Sequence, residues 1–258
     1  MPMEDILILG SSLVTGTLGA KWVDSICKPD QYTIHNHGID GIQIPGIINF
    51  LKTSKLTIKP FAIVIVAGGN DMTCSLLPDT TEGYSKMTAG RLGRPPSTPE
   101  QFEIEFEELL SLIKQIFGDK VRIGIGNIKI VGEDVNGNIN NQVRAYNKIL
   151  DAIIIKQNNM TLIDFYNPIC ALSKARYTDK NASIVPIVGS DDISQIFNPG
   201  RMVKVKLWHD LTLGYYTYDY IGESYGFYCT CDGSHFNERS AAIACKVVGG
   251  YLEKLKSK

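Results

Sequence analysis

Short uninterrupted apolar runs alternate along the chain with longer stretches in which apolar residues recur every three or four positions. The short runs predict five β-strands, at residues 6–9, 32–35, 61–67, 121–127 and 162–165. Continuous hydrophobicity along a strand is typical of parallel sheets that helices cover on both faces. The alternation predicts an α/β fold, a three-layer α/β/α doubly wound architecture around a mostly parallel five-stranded sheet, whose ligands bind beyond the carboxyl ends of the strands.

The clearest helical stretch lies between Thr98 and Gly118. Thr98 suits the N-cap, Pro99 suits the first helical position, and Gln101 completes a capping box. Gly118 suits the C-terminal end of this helix. The apolar residues predicted to share its buried face are Phe102, Phe106, Leu109, Ile113 and Ile116.

Two segments interrupt the alternation of strand and helix. Residues 72–97 predict a loop, and residues from about 167 to 230 predict an insertion after the last strand. Inside the insertion, the stretch "VKVKLWHDLTLGYYTYDYI" alternates apolar and polar residues and predicts a small antiparallel β-hairpin. In that hairpin Tyr216, Tyr218 and Tyr220 would share one face. Neither segment has the character of an independent domain, so residues 1–258 are predicted to form a single domain that carries this insertion.

Composition narrows the class of protein. The 258 residues carry a formal net charge of −1, and 44% are hydrophobic, which indicates a globular chain and argues against a nucleic-acid partner. The longest apolar strand, at residues 61–67, is too short to span a bilayer. The chain start lacks the pattern of a secretory signal, and the six cysteines form no C-x-x-C pair, so we expect an intracellular, cytoplasmic protein. The oligomeric state is left open by the sequence.

Polar residues follow three of the predicted strands directly and precede the last helix. They are "GSSL" after the first strand, "NHGIDG" after the second, "GGND" after the third, and "DGSH" before the final helix. These residue types permit acyl transfer: a serine attacks once a histidine takes its proton, and a carboxylate orients that histidine. Backbone N–H groups beside glycines, and a side-chain amide, can stabilise the oxyanion that forms.

In this order, the four blocks resemble those of the SGNH hydrolases, also called GDSL esterases and lipases, which have a flavodoxin-like fold. The resemblance implies that Ser12 is the nucleophile, His235 its base and Asp232 the partner of that base. It also implies an oxyanion hole built from the N–H groups of Ser12 and Gly41 and the amide of Asn70.

The chain departs from the family at one position of the first block. The family has an aspartate before the nucleophile, where this chain has Ser11. Whatever that carboxylate contributes to orienting the loop is therefore expected to come from a hydroxyl. No cofactor is implied by the resemblance.

Two pairs of potential metal ligands lie close together in the sequence, but an ordinary structural role is favoured for both pairs. His35 and His37 would point to the same side of a strand, yet no carboxylate or thiol lies at partner spacing. Cys229 and Cys231 read more simply as two thiols of one strand. We therefore expect no metal site.

We expect the substrate to be a small-molecule ester, and we expect the loops around the site to determine which class of ester it accepts. Because neither the 72–97 loop nor the insertion is strongly apolar, a small polar ester is favoured, with O-acetylated carbohydrates first. Trp208, Tyr216 and Tyr218 are candidates for stacking on sugar rings. A lysophospholipase or thioesterase of the same family is an alternative, as is a non-catalytic binding protein that retains the pocket. A flavodoxin-like phosphate loop in "SSLVTGTLGA" is a rival that lacks the usual Thr-Gly-x-Thr spacing.

Overall fold

The computed structural model describes residues 3–26, 31–76, 98–176 and 193–256. Its centre is a five-stranded sheet with the strand order β2-β1-β3-β4-β5, in which every neighbouring pair is parallel. The strands are β1 (Glu4–Gly10), β2 (Tyr32–Gly38), β3 (Ala62–Val66), β4 (Arg122–Gly126) and β5 (Met160–Ile163). All five predicted strands are present, with ends shifted by a few residues.

Helices cover both faces of the sheet, which confirms the predicted three-layer α/β/α fold. Alternate residues of β1 show the division: Leu7 and Leu9 pack in one apolar cluster, while Ile6 and Ile8 pack in the other. The helices are α1 (Ser12–Thr15), α2 (Ile44–Thr53), α3 (Gly69–Leu76), α4 (Pro99–Phe117), α5 (Asn138–Ile155), α6 (Tyr166–Arg176), α7 (Ile193–Ile196), α8 (Pro199–Leu211), α9 (Tyr218–Ser224) and α10 (Glu238–Lys256).

The predicted helix between Thr98 and Gly118 is confirmed as α4. Thr98 Oγ1 accepts a hydrogen bond from the Gln101 backbone N–H at 3.1 Å, as an N-cap should. Gly118 ends the helix with a φ of 91°, a value that favours glycine. The prediction for Ile116 is wrong, because this side chain is exposed and lies off the buried face.

The predicted β-hairpin in the insertion is wrong, because the same residues form α8 and α9. Asn198 caps α8 by accepting from the Arg201 N–H at 2.9 Å, and Thr217 caps α9 in the same way. These caps fix helix starts, and the helical period then overrides a short period-two pattern. Consequently Tyr218 is buried while Tyr220 is exposed, so the tyrosines do not share a strand face.

Other expectations on loops and thiols also need correction. Residues 72–76 of the predicted loop belong to α3, and residues 77–97 lie outside the described part. Cys229 and Cys231 are buried but flank a single bridge between Thr230 and Phe236 rather than lying in a strand. Among the described residues, none of the helices has the length and apolar character that crossing a membrane requires.

Candidate active site

The nucleophile candidate lies at the carboxyl end of β1, the strand that has β2 and β3 on either side. Gly10 makes the turn possible, because a Cβ there would lie 2.3 Å from the Val66 carbonyl oxygen. Ser12 then opens the short helix α1 and is buried. The candidate nucleophile therefore lies directly after the carboxyl end of β1.

Ser12, His235 and Asp232 form one chain of hydrogen bonds. Ser12 Oγ lies 2.9 Å from His235 Nε2, and His235 Nδ1 donates to Asp232 Oδ2 at 2.7 Å. The second carboxylate oxygen of Asp232 accepts the backbone N–H groups of Ser234 and His235, both at 2.8 Å. All three side chains are buried, so the serine hydroxyl faces an imidazole whose tautomer the carboxylate fixes.

The charge on Asp232 is stabilised inside the protein. Burial alone raises the pKa of the Asp232 carboxyl, but attraction to His235 and hydrogen bonds from His235 and Ser234 outweigh it and lower this pKa below its ordinary value. The carboxylate is therefore ionised at neutral pH and available to orient the imidazole and stabilise its positive form.

The loop that carries Asp232 is anchored by residues that sequence reasoning did not single out. Arg201 of α8 donates from Nε to the Asp232 carbonyl at 2.9 Å and from Nη2 to the Ile196 carbonyl at 2.5 Å. The Gly132 N–H donates to the Gly233 carbonyl at 2.7 Å. Gly233 itself has a φ of 99°, with the Ile196 carbonyl oxygen 3.0 Å from where a Cβ would lie. The insertion is thus fastened to the loop that bears Asp232 and His235.

The oxyanion candidates lie on the loops after β2 and β3, the two strands that flank β1. Gly41 has a φ of 73°, which favours glycine. Asn70 lies in the first turn of α3, and its Nδ2 donates to the Ile42 carbonyl at 2.8 Å. That bond joins the "GGND" loop to the "NHGIDG" loop. Since an amide nitrogen carries two hydrogens, Asn70 has a second donor to offer.

A buried lysine lies behind the hydrogen-bonded chain. Lys129 follows β4, and its side chain is 3% exposed; Nζ donates to the Ile130 carbonyl at 2.9 Å and lies 5.6 Å from the centre of the Phe236 ring. Burial lowers the pKa of Lys129 to about 8, although the Asp232 and Glu133 carboxyls act in the opposite direction. Lys129 and Ser11 line the same small pocket. In the sequence, a single lysine after a strand does not indicate that it lies close to the candidate site.

An open groove of about 610 Å³ lies beside the loop that follows α1. Tyr218 lines it, with its ring stacked on His209 at a centroid distance of 4.0 Å. Trp208 and Tyr216 are not among its lining residues, and instead they pack on each other at 5.8 Å. Most of its lining residues carry a polar side chain, and they are Thr15, Gly16, Thr17, Gly19, Ala20, Lys21, Lys206, His209, Asp210, Tyr218 and Glu238.

The two histidines of β2 have ordinary partners. His35 Nε2 lies 2.7 Å from Asp5 Oδ1, and the His37 ring packs 5.2 Å from the Phe50 ring. Burial is the main cause that lowers the pKa of His37. Across the described ranges, no three side chains of His, Cys, Asp or Glu are grouped as a metal ion would require.

In structure, the chain is similar to several ester hydrolases. A GDSL-like lipase from Bacteroides thetaiotaomicron gives a TM-score of 0.55 at 13% identity, over 97% of this chain and 88% of that one. The acetyl xylan esterase AlAXEase gives 0.54 at 17% identity, over 80% and 99%. A variant of an acetyl-xylooligosaccharide esterase from Geobacillus stearmophilus gives 0.58 at 13% identity, over 98% and 94%.

These likenesses define the class of fold. The sequence itself matches no family profile and no curated protein. Identities of this size show a shared fold, and the fold is that of the SGNH/GDSL hydrolases. The resemblance of the four sequence blocks is therefore confirmed at the level of the fold.

Proposed function

We propose that this chain is a serine esterase of the SGNH/GDSL family, which hydrolyses carboxylic esters through an acyl-enzyme. The observation that carries the proposal is the hydrogen-bonded series Ser12–His235–Asp232 at the carboxyl end of β1. A buried carboxylate that accepts two backbone N–H groups and one imidazole N–H has a defined orientation. Such a series activates a serine hydroxyl for attack on a carbonyl carbon.

The proposed reaction has two halves that use the same groups. Ser12 Oγ forms a bond to the ester carbonyl carbon while His235 Nε2 takes the hydroxyl proton. The bond to the alcohol oxygen then breaks, and His235 gives its proton to the departing alcohol. Water attacks the acyl-enzyme by the same route, which releases the acid and restores the serine. In both halves the Ser12 N–H, the Gly41 N–H and the Asn70 amide stabilise the negative oxygen.

The favoured substrate is a small polar ester, with O-acetylated carbohydrates first. Hydroxyl, ammonium, imidazole and carboxylate groups line the groove beside α1, and they suit a hydroxylated alcohol part better than a long acyl chain. Two of the similar structures are esterases that act on acetylated xylan or xylooligosaccharides. Tyr218 would then act through its hydroxyl and ring edge, because one ring face is taken by His209. Trp208 and Tyr216 would support α8 from behind the groove.

The test compares acyl chains and alcohol parts on one enzyme. We expect release of acetate from acetylated xylooligosaccharides and from p-nitrophenyl acetate, and little turnover of p-nitrophenyl palmitate. Ser12→Ala should abolish turnover, whereas Ser111→Ala on the exposed side of α4 should leave it unchanged. A fluorophosphonate probe with peptide mapping should label Ser12. Label on Ser11 would overturn the assignment of the nucleophile.

Two other outcomes point to the alternatives. Fast turnover of lysophospholipids or acyl thioesters, with slow release of acetate, would favour the lysophospholipase or thioesterase. Binding of acetylated sugars with neither turnover nor fluorophosphonate labelling would favour a non-catalytic binding protein.

A further inference from the structure

Exposed apolar side chains concentrate in one short stretch of the insertion. The described part of the chain has eleven large apolar side chains that are exposed, and six of them lie between residues 203 and 220. Single exposed apolar residues are ordinary, but a group of them on one surface indicates an interaction site. The six are Val203, Leu207, Leu211, Leu213, Tyr215 and Tyr220.

Three of these residues form a continuous stripe along α8. Val203, Leu207 and Leu211 follow one another at intervals of four, so they lie on one face of the helix. Their exposed fractions are 62%, 52% and 75%. The opposite face is already used, because Met202 and Val205 are buried in the protein. The helix is therefore apolar on two sides, and the stripe lies open in the single chain.

The residues of the stripe are spaced symmetrically about Leu207, its central residue. Val203 and Leu211 lie four positions before and after Leu207, and Lys204 and Asp210 lie three positions before and after it. A two-fold axis perpendicular to the helix at Leu207 would set each Val203 level with the partner's Leu211. The same axis would set the half of one helix that carries Lys204 level with the half of the other helix that carries Asp210. The dipoles of the two antiparallel helices would then point in opposite directions.

We propose that the stripe Val203–Leu207–Leu211 pairs two copies of this chain, with their α8 helices antiparallel about a two-fold axis through Leu207. Rows of residues four apart on both helices can interdigitate, a common way for helices to pack. Charge complementarity supports a second copy as the occupant. Lys206 and Asp210 form an ion pair at 2.5 Å beside the stripe, and the antiparallel arrangement sets the lysine half of each helix level with the aspartate half of the other.

Self-association of the full chain is the direct test. We expect sedimentation velocity to show a monomer–dimer equilibrium with a dissociation constant on the order of micromolar, as suits a modest interface. Leu207→Glu and Leu207→Lys should each weaken dimerisation at least roughly tenfold, because a residue on the axis meets its own copy and like charges repel. An equimolar mixture of the two variants should restore a dimer, since glutamate then meets lysine.

The controls separate this interface from general effects. Ile104→Glu, on α4, changes a side chain that is also 62% exposed, and it should leave the dimer intact. Since Leu207 faces solvent in the single chain, neither variant should lose its fold, which circular dichroism checks. If the wild-type protein stays monomeric at a protein concentration of roughly several hundred micromolar, the proposal is overturned. Sedimentation of that monomer with anionic vesicles would indicate a lipid surface as the partner instead. A dimer that Leu207→Glu leaves unchanged would also overturn it. None of these readouts depends on esterase activity.

Discussion

Replacement of the buried Lys129 by methionine should change how stability depends on pH. Lys129 has no exposed path for its ammonium group, which finds one carbonyl acceptor and the Phe236 ring. Methionine fills similar space without a charge. The substitution therefore isolates the free energy of keeping a proton on a lysine inside the protein.

The size and sign follow from the pKa. Burial lowers the pKa of Lys129 from 10.5 to about 8, which corresponds to roughly 3 kcal/mol. Between these two pH values the unfolded chain binds more protons at this site than the folded chain. The lysine's contribution to stability therefore rises with pH across this window. Its unfavourable effect is fully present below pH 8 and disappears towards pH 10.5.

Urea unfolding of both proteins from pH 7 to pH 10 measures the difference. The free energy of unfolding of the wild type, relative to Lys129→Met, should rise by up to roughly 3 kcal/mol over that range. Other groups that titrate there are common to both proteins, so the difference reports Lys129. Lys148→Met, at an exposed position of α5, should run parallel to the wild type. Parallel curves for Lys129→Met as well would refute the reasoning, because the ammonium would then be solvated in the folded protein.

Three further substitutions test the candidate site. Asp232→Asn should lower kcat by about 10⁴ because the imidazole tautomer is no longer fixed, and a small effect in steady-state kinetics would remove Asp232 from the mechanism. Asn70→Ala should lower kcat by about 10² to 10³ with KM nearly constant, whereas a rise in KM alone would mean that Asn70 binds substrate instead. Arg201→Met should lower the free energy of unfolding by about 1–3 kcal/mol, because two carbonyls lose their donor, and kcat should fall with it. A stable variant with full activity would show that α8 does not hold the loop of Asp232.

The sheet was predictable because its signal is local and repeated. Each strand is an apolar run of a length that a covered parallel strand needs, and α4 carries its own start and stop at Thr98 and Gly118. The hairpin prediction failed because four or five alternating residues fit both periods. The residues that decide for helix are Asn198, which lies just outside the alternating stretch, and Thr217, which lies within it. Capping residues next to a short ambiguous pattern are therefore better evidence than the pattern itself.

Residues of the candidate site were predictable where they lie close together in the sequence or belong to one of the four blocks. Asp232 and His235 lie three positions apart, so one turn brings them together. Arg201 and Lys129 lie 31 and about 100 positions from the loop that they approach, and nothing near them in the sequence marks that approach. Contacts of this kind depend on how α8 and the end of β4 pack on the loop, which one-dimensional spacing does not encode.

Ser11, which stands where the SGNH hydrolases have an aspartate, bears on how the proposed nucleophile Ser12 is held in place. Ser11 occupies the N-cap of α1, and its hydroxyl makes no capping hydrogen bond to this helix. Support comes from outside the block.

A carboxylate still reaches the loop, but from the segment after β2: Asp40 Oδ1 accepts from Thr15 Oγ1 at 2.6 Å. Because α1 is too short to satisfy its own carbonyl groups, these accept hydrogen bonds from other segments. Trp22 Nε1 donates to the Leu13 carbonyl at 2.6 Å, and Asn36 Nδ2 donates to the Val14 carbonyl at 2.9 Å. Because these donors and the Asp40 acceptor hold the helix that Ser12 begins, the position of the proposed nucleophile does not require a charge at residue 11. The same contacts tie Ser12 to the segment that carries Gly41, so the proposed nucleophile and one proposed oxyanion donor are held as a unit.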